Sequence, residues 1–113
     1  KCTAIRRALV PESMMDAVEN ALKARLANIH PGDPREESTK LGALVSQAQR
    51  DDVRSKVADL AREAKIAFGD PEASPVHARG AFLLPVLLRC DSPWQATAVH
   101  DVEAFGPVAT VMP

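Results

Sequence analysis

Aromatic residues are scarce in this sequence, which has no tyrosine, one tryptophan and three phenylalanines among 113 residues. The core therefore has to be built mainly from leucine, valine, isoleucine and alanine, a filling typical of helices packed on a sheet. A chain of this length buries roughly two-thirds of the surface that it exposes when unfolded, which is enough for one core. The composition predicts a single small domain.

An excess of charge of either sign is also missing. Fourteen Lys and Arg residues stand against fifteen Asp and Glu residues, and the formal net charge is -1. Such a surface has no strong field to attract DNA, RNA or an anionic bilayer. No apolar stretch approaches the ~20 residues that a membrane-spanning helix needs, because Pro85 interrupts the longest one, residues 81–88. We expect neither a nucleic-acid partner nor a membrane partner.

Cysteines and metal-ligand patterns are few. Cys2 and Cys90 lie almost the whole chain apart, and two cysteines are too few for a disulfide framework. A bridge is allowed but nothing requires one, which favours a reducing, cytoplasmic setting. The three histidines are scattered, and only the pair His100 and Glu103 comes near a metal-ligand spacing. We predict no metal site.

The hydrophobic pattern predicts alternating strands and helices. Ser46 and Gln49 have the spacing of a capping box, which predicts that a helix starts there. Residues 81–90 are apolar on both faces, as in a strand that is covered on both sides. The predicted elements are a strand at 3–10, a helix at 12–29, a helix from 46, a strand at 65–70, an exposed loop at 71–80, a strand at 81–90, a short helix at 93–99 and a strand at 108–113. This order predicts an α/β fold with a mostly parallel sheet and flanking helices.

Two stretches carry residues of chemical interest. The first is "KCTAIRRALVP", in which Cys2 is a candidate nucleophile. A thiol attacks well only as a thiolate, and its ordinary pKa of ~8.5 leaves a few per cent ionised at neutral pH. Taken alone, a cysteine at a strand edge is more often a small buried hydrophobic residue. The second stretch, "EAFGPV" at 103–108, predicts by itself only a turn with a surface carboxylate, Glu103.

Taken together and in order, these stretches resemble the aldehyde dehydrogenase superfamily. "KCTAIRRALVPES" is similar to the cysteine segment of that family, and "EAFGPVATVMP" to its Glu-x-Phe-Gly-Pro segment. Three more family landmarks, "GDP", "LGALVS" and "GAFLLPVLL", follow in the same order between them. The resemblance covers essentially the whole chain. Within the family, "KCTAIRRALVP" is most similar to the aldehyde dehydrogenase domains of bifunctional enzymes of phenylacetate degradation.

The resemblance implies an NAD(P)-dependent oxidation of an aldehyde to an acid. Cys2 would attack the aldehyde carbon to form a thiohemiacetal, and loss of hydride to the nicotinamide would leave a thioester. Glu103 would hydrogen-bond the nicotinamide ribose, and Phe105 would pack near the nicotinamide ring. The cofactor would be NADP or NAD, and the narrower likeness favours NADP and a CoA-linked semialdehyde as substrate. Family members generally assemble as homo-oligomers.

The resemblance also implies that residues 1–113 are a fragment of the catalytic domain. The family has its cofactor-binding domain, its general-base glutamate and its oxyanion-hole asparagine upstream of the cysteine. We therefore expect the fragment alone to be inactive. Two alternatives stay open: cysteine-dependent acyl transfer or hydrolysis, for which no histidine-base motif is visible, and an oligomerisation or binding module of a larger enzyme.

Overall fold

Four strands form one sheet in the computed structural model, which describes residues 2–73 and 79–113. The strands are β1 (Arg7–Leu9), β2 (Lys65–Phe68), β3 (Val86–Arg89) and β4 (Val108–Met112). Their spatial order is β1-β4-β3-β2. Strand β4 runs parallel to both of its neighbours, whereas β2 is antiparallel to β3. The predicted α/β fold with a mostly parallel sheet is confirmed.

Three helices flank this sheet. They are α1 (Met15–Leu26), which follows a 3-10 turn at Glu12–Met14, α2 (Gln47–Leu60), and α3 (Ala98–Asp101), which follows a 3-10 turn at Pro93–Gln95. None of the helices in the described part of the chain is long and apolar enough to cross a membrane. The predicted order of strands and helices is therefore confirmed, although several bounds were placed too wide.

Several bounds differ from the predicted ones. The first strand was predicted over residues 3–10 but spans Arg7–Leu9. The first helix was predicted to reach residue 29 but ends at Leu26. There the side-chain Nδ2 of Asn28 donates to the Ala24 carbonyl at 2.9 Å, satisfying one of the carbonyls left open at a helix end. The predicted start of α2 is confirmed, since Ser46 is its N-cap.

The core lies on both faces of the sheet. On one face, Leu88 joins Val53 and Val57 of α2, and all three side chains are 0 % exposed. On the other face, Leu87 and Val111 pack with Met15 of α1. Adjacent residues of β3 enter opposite clusters because successive side chains of a strand point to opposite faces. The prediction that this segment is covered on both sides is confirmed.

Pro85 does not interrupt a strand, contrary to the prediction of a bulge or an unpaired N–H within residues 81–90. Strand β3 begins immediately after it, at Val86, because a proline has no N–H to give to a ladder. The irregularity of the sheet lies instead in β2, between Ile66 and Phe68. Of the predicted loop at 71–80, residues 74–78 lie outside the described residues.

Arg89, at the end of β3, ties α1 to the sheet. Its Nη1 donates to Glu19 Oε2 at 2.8 Å and to Asp16 Oδ1 at 2.6 Å, and its Nε donates to Asp91 Oδ1 at 2.6 Å. Lys23 forms a second ion pair with Glu19, whose side chain is 12 % exposed. The hydrogen bonds from Lys23 and Arg89 lower the pKa of the Glu19 carboxyl below its ordinary value.

We expect Glu19→Gln to lower the free energy of unfolding near neutral pH by about 1–3 kcal/mol, because it removes charge-assisted hydrogen bonds. A carboxyl whose pKa is lowered by folding contributes stability above its ordinary pKa and loses it as the pH falls through the lowered value. The difference from wild type should therefore shrink below about pH 4. Urea unfolding at a series of pH values measures it, with the exposed Glu36→Gln as control. A difference that stays constant down to acid pH would mean that packing, not charge, is responsible.

Candidate functional site

The segments before β1 and before β4 meet at one end of the sheet because the two strands are adjacent and parallel. The register pairs Arg7 with Thr110, and the Thr110 N–H donates to the Arg6 carbonyl at 2.9 Å. Cys2 lies in the segment before β1, and Phe105 lies in the segment before β4. Residues from opposite ends of the chain therefore converge.

A cleft of about 410 Å³ lies at this convergence, and Cys2, Glu103 and Phe105 all line it. Cys2 is an exposed free thiol. The Glu103 side chain is 64 % exposed, and Phe105 is 54 % exposed. The other lining residues are Ala4, Ile5, Arg6, Leu41, Gly42, Ala43, Leu44, Ala104, Gly106, Pro107 and Val108. The structure thus brings the three candidate residues together, while their chemical roles stay predictions.

The turn of residues 103–107 connects α3 to β4 and presents two of these side chains. Ala104 is 6 % exposed and belongs to the core, whereas the side chains of its neighbours Glu103 and Phe105 are more than half exposed at the cleft. The Val86 N–H donates to the Pro107 carbonyl at 2.9 Å, which holds the end of the turn to β3. The Gly106 N–H also donates to the Ala104 carbonyl at 2.9 Å, so the chain turns tightly at Phe105.

Gly106 and Gln49 bring the 103–107 turn against α2. A Cβ added at Gly106 would lie 3.0 Å from Val53 Cγ2, so the glycine permits the close approach. The Gln49 Nε2 donates to the Phe105 carbonyl at 2.9 Å. The spacing of Ser46 and Gln49 predicts a capping box, and the Gln49 N–H does donate to Ser46 Oγ at 3.1 Å. The side chain of Gln49 binds the 103–107 turn instead of the N-cap residue. The spacing of Ser46 and Gln49 could not predict this contact.

The landmark "LGALVS" supplies a wall of the cleft, a role that its sequence did not reveal. The Gly32 N–H donates to the Leu41 carbonyl at 2.9 Å, and Pro31 and Leu41 form an isolated parallel bridge. The Leu44 N–H donates to the Ala81 carbonyl at 2.9 Å. Backbone pairing at both ends therefore holds residues 41–44 beside the 103–107 turn.

Among the described residues that line the cleft, one pair is charged. Arg6 Nη1 lies 3.9 Å from Glu103 Oε1, with the two side chains 33 % and 64 % exposed. An ion pair this long and this exposed is worth little, so the Glu103 carboxylate is available to a ligand. The described lining offers a thiol, a carboxylate and an aromatic ring, and it includes no histidine. Acyl transfer that needs a histidine base beside the thiol is not favoured.

The two cysteines differ in access. Cys90 is free but 1 % exposed, within the cluster against α2, so Cys2 is the accessible thiol of the described chain. Within residues 2–73 and 79–113, no group of three or more His, Cys, Asp and Glu side chains could hold a metal ion.

Comparison with known protein families gives one assignment for the whole chain. The model described as the aldehyde dehydrogenase family matches residues 1–113. A curated relative, 3,4-dehydroadipyl-CoA semialdehyde dehydrogenase of Aromatoleum evansii, is 45 % identical over 117 aligned residues, which cover 100 % of this chain. The chain spans 23 % of the length of that relative.

Solved structures of similar proteins share the fold. A mutant of aldehyde dehydrogenase C from Pseudomonas syringae, in complex with NAD+ and octanal, superimposes with a TM-score of 0.85 at 28 % identity, covering 99 % of this chain and 23 % of that one. Betaine aldehyde dehydrogenase from Staphylococcus aureus, in complex with NAD+, gives a TM-score of 0.81 at 31 % identity, covering 93 % of this chain and 21 % of that one.

Proposed function

The chain belongs to the aldehyde dehydrogenase family, and on that premise we propose that it carries the catalytic cysteine of an NAD(P)-dependent enzyme that oxidises an aldehyde to an acid. Residues 1–113 are then part of the catalytic domain, and the remainder of a longer chain supplies the cofactor-binding domain and the general base. We expect the 113-residue chain alone to be inactive, because the residues that the structure describes do not include a dinucleotide-binding fold. This proposal is consistent with the chain's share of its relatives' length.

Cys2 is the nucleophile in this proposal. Its thiolate adds to the aldehyde carbon and forms a thiohemiacetal, whose oxyanion accepts a hydrogen bond from the Cys2 backbone N–H. The bound nicotinamide cofactor supplies the hydride acceptor, and hydride loss leaves a thioester on Cys2. The exposed position of Cys2 at the cleft supports this role, because a nucleophile must reach its substrate.

Glu103 and Phe105 hold the cofactor. The residues present fit a nicotinamide riboside: a weakly paired carboxylate can accept hydrogen bonds from ribose hydroxyls, and a half-exposed ring offers a flat apolar face. These two residues contribute mainly by orienting the nicotinamide ring toward the thiohemiacetal, because the atoms between which hydride moves must lie about 3–3.5 Å apart. The cofactor is NADP or NAD, and both known complexes above contain NAD+.

A CoA-linked semialdehyde is the proposed substrate. Two observations support this substrate. One is the likeness to a relative named for such a compound, and the other is the resemblance of residues 1–11 to the enzymes of phenylacetate degradation. We also propose a homo-oligomer that works in the cytoplasm, in line with two cysteines that remain free thiols.

The observation that carries the proposal is the shared cleft, whose lining includes Cys2 together with Glu103 and Phe105 of the 103–107 turn. Parallel pairing of β1 with β4 produces this arrangement.

Glu103→Gln in the full-length enzyme tests the role of the carboxylate. We expect addition of aldehyde to Cys2 to continue and hydride transfer to slow roughly tenfold, because the ribose loses a charge-assisted hydrogen bond. Pre-steady-state formation of NAD(P)H measures hydride transfer, and the rate of Cys2 alkylation measures thiol reactivity. The exposed Glu37→Gln is the matched control and should behave as wild type. Unchanged NAD(P)H formation in Glu103→Gln would remove Glu103 from the cofactor site.

A further inference from the structure

We propose that Glu63 is a positioning residue for Glu103, because its carboxylate caps the short helix α3 that leads into the 103–107 turn. This inference rests on the proposed function, in which Glu103 binds the nicotinamide ribose. Glu63 lies between α2 and β2 and is not among the residues that line the cleft. It acts through the backbone of α3.

The Glu63 carboxylate reaches the first turn of α3 from a distant part of the chain. Its Oε2 accepts hydrogen bonds from the Thr97 N–H at 2.9 Å and from the Ala98 N–H at 2.7 Å. The side chain of Thr97, which is the N-cap residue of α3, makes no capping hydrogen bond of its own. Glu63 therefore supplies the acceptor that an N-cap side chain ordinarily supplies, and its charge strengthens both bonds.

Helix α3 depends on this cap because it is very short. It has 4 residues, and isolated helices of this length are not stable in water. The Val102 N–H donates to the Ala98 carbonyl at 2.9 Å, which closes the helix immediately before Glu103. Four helical residues rise about 6 Å, whereas the same residues span about 13 Å when extended. Fraying of α3 therefore displaces Glu103 relative to the cleft.

Other contacts fix the place of α3 but not the N–H groups at its start. Val99 is 2 % exposed and lies in the core with Ala104, which holds the inner side of the segment. From β1, Arg7 Nη1 donates to the His100 carbonyl at 3.4 Å, a long and weak hydrogen bond. The two bonds to Glu63 are both shorter and charge-assisted. We therefore assign the helical state of the first turn of α3 to Glu63.

Three substitutions at Glu63 in the full-length enzyme separate the hydrogen bonds from the charge. Glu63→Met keeps the length of the side chain and removes the acceptor. Glu63→Asp keeps the charge but is shorter by one C–C bond, about 1.5 Å, which takes its oxygens out of hydrogen-bonding range. Glu63→Gln loses the charge but keeps one carbonyl oxygen, and one is enough because both N–H groups donate to the same Oε2. Glu37→Met, at an exposed glutamate, is the matched control.

We expect Glu63→Met and Glu63→Asp to slow hydride transfer roughly fivefold, measured as pre-steady-state NAD(P)H formation, because Glu103 is displaced but still present. Hydrogen exchange at the Val102 amide should become faster in the same two variants. Glu63→Gln should stay within about twofold of wild type in both measurements. The rate of Cys2 alkylation by iodoacetamide should not change in any variant, and Glu37→Met should match wild type throughout.

A double variant tests whether Glu63 acts through Glu103. If it does, adding Glu63→Met to Glu103→Gln should slow hydride transfer by less than about twofold, because the contact that α3 positions is already lost. A purely structural role of Glu63 gives effects that multiply instead. Multiplied effects overturn the proposal.

The remaining outcomes separate this proposal from the proposed function. If wild-type full-length protein forms no NAD(P)H with any aldehyde, the proposed function fails, and exchange at the Val102 amide still decides whether Glu63 caps α3. Unchanged exchange in both Glu63→Met and Glu63→Asp overturns the proposal. Faster exchange with a normal rate of hydride transfer also overturns it, because Glu103 would then not depend on α3. Hydride transfer as slow in Glu63→Gln as in Glu63→Met would assign the effect to charge and overturn it as well.

Discussion

Replacing Cys2 with alanine in the full-length enzyme is expected to lower aldehyde-dependent NAD(P)H formation roughly 10³-fold or more, because removing a covalent nucleophile leaves only binding and orientation. Without a sulfur atom no thiohemiacetal forms. A free aldehyde lacks the tetrahedral carbon, bearing an oxyanion, from which hydride is expelled. Steady-state rates with a panel of aldehydes measure the loss. Mass spectrometry of the trapped thioester should show the added acyl group on the wild type and not on the variant.

Cys2→Ser is expected to be almost as inactive. A serine hydroxyl keeps the approximate shape, but its pKa is far above that of a thiol, and little alkoxide forms without a base beside it. The matched control is Cys90→Ala, which removes the other thiol from a site that is 1 % exposed. That variant should retain activity if it folds, because Cys90 lies in the core and cannot meet a substrate. A wild-type rate of NAD(P)H formation in Cys2→Ala would contradict the covalent mechanism.

Gly69→Ala is expected to lower the free energy of unfolding by roughly 2–4 kcal/mol, which combines backbone strain with a steric overlap. Gly69 follows β2 and has φ +87°, a conformation that residues with a side chain rarely adopt. An added Cβ would also overlap the Pro85 carbonyl oxygen. The overlap is with backbone at the start of β3, so no rotamer change can relieve it.

Gly42→Ala is the control for this prediction. A Cβ at Gly42 would meet nothing within 4 Å, and its φ is not positive. Alanine there reduces the freedom of the unfolded chain, so the variant should be unchanged or more stable by up to about 1 kcal/mol. Denaturant unfolding of both variants beside wild type measures the two effects. Equal stability of the two variants would show that the strand end at Gly69 relaxes at no cost.

Local patterns were enough to predict the elements that have strong local signals. Ser46 and Gln49 predicted the start of α2, because a cap depends on residues three apart. Residues 81–90, which are apolar on both faces, predicted a strand covered on both sides, and β3 lies within them. The bounds near Arg7 and Leu26 were wrong, because hydrogen bonds at element ends depend on neighbours that a periodic pattern does not contain.

The candidate site was also predicted only in part from the sequence. The family motifs at Cys2 and at 103–107 were recognisable as residue types in order, and the membership of the chain in the aldehyde dehydrogenase family followed from them and from the family match. The order of motifs along a chain contains no distances, however. The wall at residues 41–44, the weak Arg6–Glu103 pair and the Gln49 contact became visible only in three dimensions.

The sequence by itself determined the kinds and order of the secondary structures, since capping, periodicity and proline act between residues that are close in the chain. It also determined which residue types with chemical potential the chain contains and in what order they occur. The tertiary structure alone decided that Cys2 and Phe105 stand together, because that depends on β1 pairing beside β4, in parallel and with Arg7 opposite Thr110. A strand can pair with several partners in several registers, and only the packing of the whole sheet between α1 and α2 selects one.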